Sequence, residues 1–218
     1  MKYANLGLWK VKFFTTIFVL FTACSVYAFG LGDIGSMLGG GGPDLSGKQT
    51  ELTGSLRSAL INLGKSQVIM AKALGLDEQV MLAEQNVKNM EAGDMGTSDE
   101  VEKSIEISAS VQEEIAKETA KKTVLDGAGK AVFVTSIPFY IKGVLGSVQT
   151  GKDAAQIGQS MASLNPAALL QVGTLVKIVS NMPDLITKLS SSTGQIMDFM
   201  TANEIDNSEM SDKLANAF

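Results

Sequence analysis

Apolar residues recur every three or four positions over most of the chain, which is the spacing of amphipathic helices. The first such run covers 46–74, and Gly75 behind it suits a left-handed helix C-cap. A second run starts at Asp77, which we interpret as a helix N-cap, with Leu76 placed to pack on Met81. The pattern predicts two consecutive helices, the second of which ends at the next glycine-containing loop.

A third predicted helix begins with a capping box. The hydroxyl of Thr97 can accept an amide of the first helical turn, and the carboxylate of Glu100 can reach back to the amide of Thr97. Asp126 and Gly127 end this helix. Acidic residues precede lysines by four positions along its polar face, in the pairs Asp99 with Lys103, Glu113 with Lys117, and Glu118 with Lys122.

The most apolar stretch of the predicted mature domain is 131–148, in which Lys142 is the one charged residue. Its composition predicts burial at the centre of the fold. Pro138 opposes a straight helix, so we expect a kinked helix or two helices that meet near Ser136. A short strand over 132–137 is the alternative, because β-branched and aromatic residues dominate there.

Small residues form a patch within this stretch if its second half is helical. They are Gly143, Gly146 and Ser147. Such a patch allows the backbone of another helix to approach closely. The three positions are therefore candidates for close packing inside the bundle or for an interface.

Three further helical segments are predicted over 150–164, 166–182 and 185–202. The middle one carries a single charge and is expected to be enclosed, with Pro183 interrupting the chain behind it. The remaining sixteen residues, 203–218, are polar and are expected to fray as a C-terminal tail.

Residues 1–28 have the pattern of a secretory signal peptide. A lysine-containing start precedes an apolar core over 13–23, and a small-x-small triplet ends at Ala28. We expect cleavage after Ala28. A glycine-rich, flexible linker over 29–47 follows, with four consecutive glycines.

The segment Phe21-Thr22-Ala23-Cys24 resembles the lipobox of bacterial lipoproteins, in which a cysteine is acylated and becomes the mature N-terminus. The resemblance implies that Cys24 would tether the protein to a membrane, with an outer membrane as the destination. Plain cleavage after Ala28 is the preferred interpretation, and lipidation of Cys24 is the alternative.

The chain has 218 residues, 45% of them hydrophobic and 19% charged, which is the balance of one globular domain, predicted over 48–202. Loss of residues 1–28 would remove three lysines and no acidic residue, so the formal net charge would change from −5 to −8. The mature protein would contain neither cysteine nor histidine. An exported domain of this size without disulfides is typical of the bacterial periplasm.

The composition also argues against several kinds of chemistry. Zinc, haem and iron–sulfur sites would lack their usual ligands, so we expect no metal, no cofactor and no catalytic residues. A single arginine and a negative net charge oppose nucleic-acid binding. The stretch 59–66 fits a loose P-loop pattern, but it lies inside the first predicted helix with no strand before it, so Lys65 is interpreted as a surface residue.

Together these features predict an all-α bundle of about six to seven helices, with a kinked or broken apolar central helix and a flexible N-terminal tether. The expected function is that of a non-enzymatic, exported protein of the bacterial periplasm or cell envelope, which binds another envelope protein or itself. The alternative is a protein that inserts into or perturbs membranes, with 131–148 and 166–182 forming an apolar hairpin.

Overall fold

The computed structural model of the chain describes residues 45–162 and 172–218. These ranges contain seven α-helices: α1 Leu45–Leu74, α2 Asp77–Ala92, α3 Ser98–Ala120, α4 Gly127–Val134, α5 Ile137–Met161, α6 Gly173–Ala202 and α7 Ser208–Leu214. The predicted all-α class is confirmed. Several predictions fall outside the described residues: the signal peptide over 1–28, its expected cleavage after Ala28, the possible lipidation of Cys24, nearly all of the expected linker and the start of the 166–182 helix.

The long helices α1 and α5 pack side by side in opposite directions. Gly143 of α5 lies against Leu63 of α1, and Gly146, one turn further along α5, lies against Ala59, one turn earlier on α1. The glycines allow this close approach because they place no side chain between the two backbones.

The second long pair, α3 and α6, runs in parallel. Lys177 pairs with Glu102 at 2.6 Å near the start of both helices, and Lys188 approaches Glu113 to 3.8 Å further along. α2 packs beside α1 and α3 and joins the two pairs at one side. The Asp44–Phe218 part of the chain forms one compact unit.

The apolar core is continuous through these helices, and its aromatic centre lies where α4 meets α6. Phe133 and Phe199 are fully buried with ring centroids 5.2 Å apart in a tilted arrangement. Such a geometry suits the ring quadrupoles.

The apolar stretch that begins at α4 is one bent helical segment, as the kinked alternative predicted. Thr135 and Ser136 separate α4 from α5, yet both keep right-handed helical backbone angles. Pro138 occupies the first turn of α5, where its missing amide costs no helical hydrogen bond. The strand alternative over 132–137 is wrong, because helical packing places Phe133 and Ile137 in the core.

Three predicted helix boundaries are also wrong. α3 ends at Ala120 and Lys122 has a positive φ, so Asp126 does not end that helix but is the N-cap of α4. α5 runs without a break from Ile137 to Met161, so no new helix begins at residue 150. Pro183 lies inside α6, which continues to Ala202. Met182 and Leu185 on either side of Pro183 are buried, and this packing outweighs the local loss of one backbone hydrogen bond.

The capping box is confirmed. The hydroxyl of Thr97 accepts the amide of Glu100, and the carboxylate of Glu100 accepts the amide of Thr97 at 3.0 Å. At α2, however, Leu76 occupies the N-cap position and Asp77 is the first helical residue. Leu76 packs against the apolar core, and Met81 is 65% exposed.

The C-terminal residues are ordered in the fold, contrary to the expected fraying. α7 packs against α5, and four apolar side chains after α6 are buried: Ile205, Met210, Leu214 and Ala217. These residues are too widely spaced to raise the local hydropathy of the tail. Their burial depends on an apolar surface that the earlier helices provide.

Candidate functional site

Buried polar side chains cross the centre of the bundle and link four helices. The amide of Gln67 on α1 donates to the carbonyl of Ser108 at 2.7 Å and to the side-chain oxygen of Gln112 on α3 at 3.2 Å. The amide of Gln112 donates to the hydroxyl of Ser192 on α6 at 2.9 Å and reaches the Tyr140 hydroxyl of α5 at 3.4 Å. All five residues are buried.

The network is closed and carries no charge. The Tyr140 hydroxyl lies 3.0 Å from the Thr193 hydroxyl and 3.3 Å from the Ser192 hydroxyl. Burial raises the pKa of Tyr140, although these hydrogen bonds partly oppose the shift. The phenol therefore stays protonated at neutral pH. A neutral network without solvent access positions helices and offers no acid or base to a substrate.

Sequence reasoning missed this network, although a signal for it exists. Gln67 lies between Leu63 and Met70 on the apolar stripe of α1, where a solvent-facing residue has no place. A glutamine at such a position predicts a buried partner. The sequence does not say which helix supplies that partner.

The small residues of α5 lie at its contact with α1. A Cβ at Gly143 would meet the backbone nitrogen of Leu63 at 2.6 Å. Ser147 is fully buried, and its hydroxyl has no hydrogen-bond partner in the described part of the chain. Gly146 is half-buried at the edge of the same contact. The chain thus uses the patch internally.

An open groove of 590 Å³ follows this helix contact on its solvent side. Small and polar residues line it, so it has no apolar anchor pocket. Lys142 and Asp153 stand on its α5 wall and Glu51 on its α1 wall. Asp153 accepts a hydrogen bond from Gln149 at 2.8 Å.

The exposed side of α4 and α5 forms a second surface, which we call the outer stripe. It consists of seven exposed residues at spacings of three and four: Ala131, Val134, Pro138, Lys142, Leu145, Gln149 and Lys152. Because the backbone stays helical through Thr135 and Ser136, the stripe is continuous across the bend. Its first half is apolar, and its second half contains two lysines.

Val134 is 45% exposed and Leu145 is 38% exposed, which is unusual for the most apolar helical segment of the described residues. Val132, beside the outer stripe, is exposed to a similar degree. Lone apolar side chains on a surface need no explanation, but neighbouring exposed apolar side chains along α4 and the start of α5 indicate a contact surface. In α4 only Phe133 is buried.

The acidic clusters are engaged in surface ion pairs. Lys117 lies 2.7 Å from Glu114 and 3.0 Å from Glu113, and the hydrogen bond from Lys117 is the main cause of the lowered pKa of Glu113. Glu118 pairs with Lys121 instead of Lys122. In the described ranges, no group of three or more potential ligand side chains could hold a metal ion.

Lys65, from the P-loop-like stretch, lies within helix α1 and forms an ion pair with Glu91 of α2 at 2.7 Å. The neighbouring Ser66 is fully buried. A P-loop holds phosphate with backbone amides that point away from a glycine-rich turn, whereas the amides of a helix interior bond to their own helix. This stretch therefore cannot cradle a nucleotide.

No protein family, curated protein or solved structure matches the chain.

Among the described residues, one helical segment is long and apolar enough to cross a membrane by length and composition. It is Gly127–Met161, with a mean hydropathy of 1.5 over its most apolar window. Half of that window is buried inside the bundle. A core helix of a soluble protein passes the same test, so this finding alone is weak support for a membrane span.

Proposed function

We propose that this chain is a non-enzymatic, exported protein of the bacterial cell envelope that works by contact, as a helical binding or structural module. The observation that carries the proposal is the outer stripe. The outer stripe is a continuous exposed face on Gly127–Met161, a helical segment whose composition is as apolar as that of a core helix. Its partner would be another envelope component or a second copy of the chain.

Export is supported by the leader pattern of residues 1–28. The N-terminus of the protein purified from cells distinguishes the alternatives by mass spectrometry. Phe29 at the terminus means cleavage after Ala28, and an acylated Cys24 means a lipoprotein. An intact Met1 would refute export by this leader.

The non-enzymatic part of the proposal is supported by the hydrogen bonds and ion pairs that the polar side chains make within the fold. Gln67, Gln112 and Tyr140 satisfy one another inside the bundle, and Glu113, Glu114 and Glu118 pair with lysines. These side chains therefore have structural roles within the fold.

Site-specific photo-crosslinking in cells tests the contact function. A photoreactive amino acid replaces Val134 on the outer stripe, and the matched control replaces Val176 of α6, which is 38% exposed. We expect a covalent adduct from position 134 and none from position 176. Equal labelling at both positions, or no adduct at position 134, would refute a contact surface on the outer stripe.

Membrane insertion by 131–148 with 166–182 is a second proposal, favoured by the length and hydropathy of Gly127–Met161. Insertion would have to withdraw Tyr140 from the polar network and Phe133 from the core, because both are fully buried. Release of a trapped dye from vesicles measures it. If the vesicles keep their dye after the processed protein is added, the insertion proposal is wrong.

A further inference from the structure

The charges around the outer stripe differ in sign from those of the whole chain. The chain has 23 acidic and 18 basic residues, yet the run 127–152 contains three lysines and no acidic residue. Lys142 and Lys152 belong to the outer stripe, and Lys130 lies on α4. A local positive face on an acidic protein is suited to a negatively charged partner.

The acidic residues that bound this run are both engaged locally. Asp126 is the N-cap of α4, and its carboxylate accepts the amide of Gly129 at 2.6 Å. Asp153 accepts the side-chain amide of Gln149 at 2.8 Å. Neither residue belongs to the outer stripe, whose own charged residues are Lys142 and Lys152. Asp153 and Glu51 of α1 line the groove beside Lys142, so Lys152 and Lys130 are the lysines of this run outside that groove.

The apolar half of the stripe has a shape that favours a fluid partner. Ala131, Val134 and Pro138 project from the side of a helix and form a ridge. A protein partner typically gains its affinity from a large anchor side chain seated in a pocket, and these small residues offer neither. A headgroup layer, in contrast, conforms to a ridge and accepts small apolar groups at its boundary with the acyl chains.

We propose that the outer stripe docks this protein on an anionic lipid surface. The apolar end at α4 enters the boundary between headgroups and acyl chains, while Lys142 and Lys152 contact the anionic headgroups. Leu145 lies between the two lysines and contributes apolar contact area. This inference rests on the proposed contact function and names the partner of the same surface.

Docking of this kind leaves the bundle intact. Phe133 and Tyr140 face inward from the same two helices that present the stripe, and both remain buried when its outer side is covered. The protein should therefore bind vesicles without opening them. This outcome separates surface docking from the insertion of a hairpin.

Vesicle co-sedimentation tests the proposal with the processed protein that begins at Phe29, so that neither the apolar leader nor an acylated Cys24 contributes. The vesicles contain phosphatidylglycerol with phosphatidylcholine, or phosphatidylcholine alone. We expect binding to the anionic vesicles only. Val134→Asp should weaken it about tenfold, because it puts a charge at the apolar boundary.

The lysines are tested separately. Lys142→Gln and Lys152→Gln should each weaken binding about fivefold, and added salt should weaken it further. Val176→Asp on α6 is the control with similar exposure and should bind like the unaltered chain. Circular dichroism melts check that all variants fold, which is expected because Val134, Lys142, Lys152 and Val176 are exposed.

Several results would overturn lipid docking. They are no binding to anionic vesicles, equal binding to phosphatidylcholine alone, or equal losses from Val134→Asp and Val176→Asp. If the photo-crosslinker at Val134 then captured a protein, the contact function would stand and only the lipid partner would be wrong. If it captured nothing, both proposals would fail.

Discussion

The contact between α1 and α5 can be tested with a single methyl group. In Gly143→Ala, the new Cβ would lie 2.6 Å from the backbone nitrogen and 2.7 Å from the Cα of Leu63. Real Cβ atoms do not approach so closely, so the two helices would have to move apart. Backbone atoms cannot rotate away as the end of a side chain can.

The expected cost follows from two opposing effects. Alanine in place of glycine favours a helix by about 0.5–1 kcal/mol. Overpacking in a well-packed core costs about 1–3 kcal/mol, and a clash with backbone belongs at the upper end of that range. We expect Gly143→Ala to lower the free energy of unfolding by about 2 kcal/mol.

Gly54→Ala is the matched control. Gly54 is also inside a helix, α1, but no atom lies within 4 Å of the position of its added Cβ. Only the helix-propensity effect then applies, so the free energy of unfolding should rise by about 0.5–1 kcal/mol. The two glycine-to-alanine changes should therefore differ in sign.

Urea denaturation followed by far-UV circular dichroism measures both variants against the unaltered chain. The denaturant midpoint should fall for Gly143→Ala and rise for Gly54→Ala, with little change in the slope. An unchanged or higher midpoint for Gly143→Ala would show that α1 and α5 do not approach through this glycine.

Further predictions concern the buried network and the capping box. Tyr140→Phe removes the hydroxyl beside Ser192 and Thr193. In urea denaturation it should lower the free energy of unfolding by about 1 kcal/mol, because both partners keep other hydrogen bonds. An unchanged free energy of unfolding would mean that the network is not closed around Tyr140. Thr97→Ala should cost about 1 kcal/mol through loss of the α3 cap, and an unchanged midpoint would contradict that cap. Hydrogen bonds from Thr97 lower the pKa of Glu100 below its ordinary 4.5. Since the folded pKa is the lower one, the stabilisation by Glu100 is present above pH 4.5 and is lost as the pH falls through the folded value. Urea midpoints in acid should fall less steeply for Glu100→Gln, and parallel pH profiles would refute this role.

Local features were predictable where the sequence contains the interacting groups close together. The capping box needs only Thr97 and Glu100, which are three residues apart, and the C-cap at Gly75 needs one residue with a positive φ. The bend near Ser136 follows from Pro138 alone. These elements form because the partners meet within a turn of helix.

The candidate surface was only partly predictable. The composition of 131–148 identified the stretch as apolar, and Gly143, Gly146 and Ser147 were predicted to form a small-residue patch. However, we expected the whole stretch to be buried. The structure buries these small residues against α1 and leaves Val134, Leu145 and the lysines outside. Which side of a helix faces solvent depends on the helices that pack against it.

The sequence by itself determined the helical class, the start of α3 at its capping box and the bend in the apolar segment, because these depend on neighbouring residues. Tertiary structure alone decided that α6 continues through Pro183, that the polar C-terminus packs on α5, and that Gln112 meets Ser192 across 80 positions of chain. The physical reason is burial. A proline inside a helix or an isolated methionine needs the apolar surface of distant helices. A buried polar side chain needs hydrogen-bond partners that the local sequence does not contain.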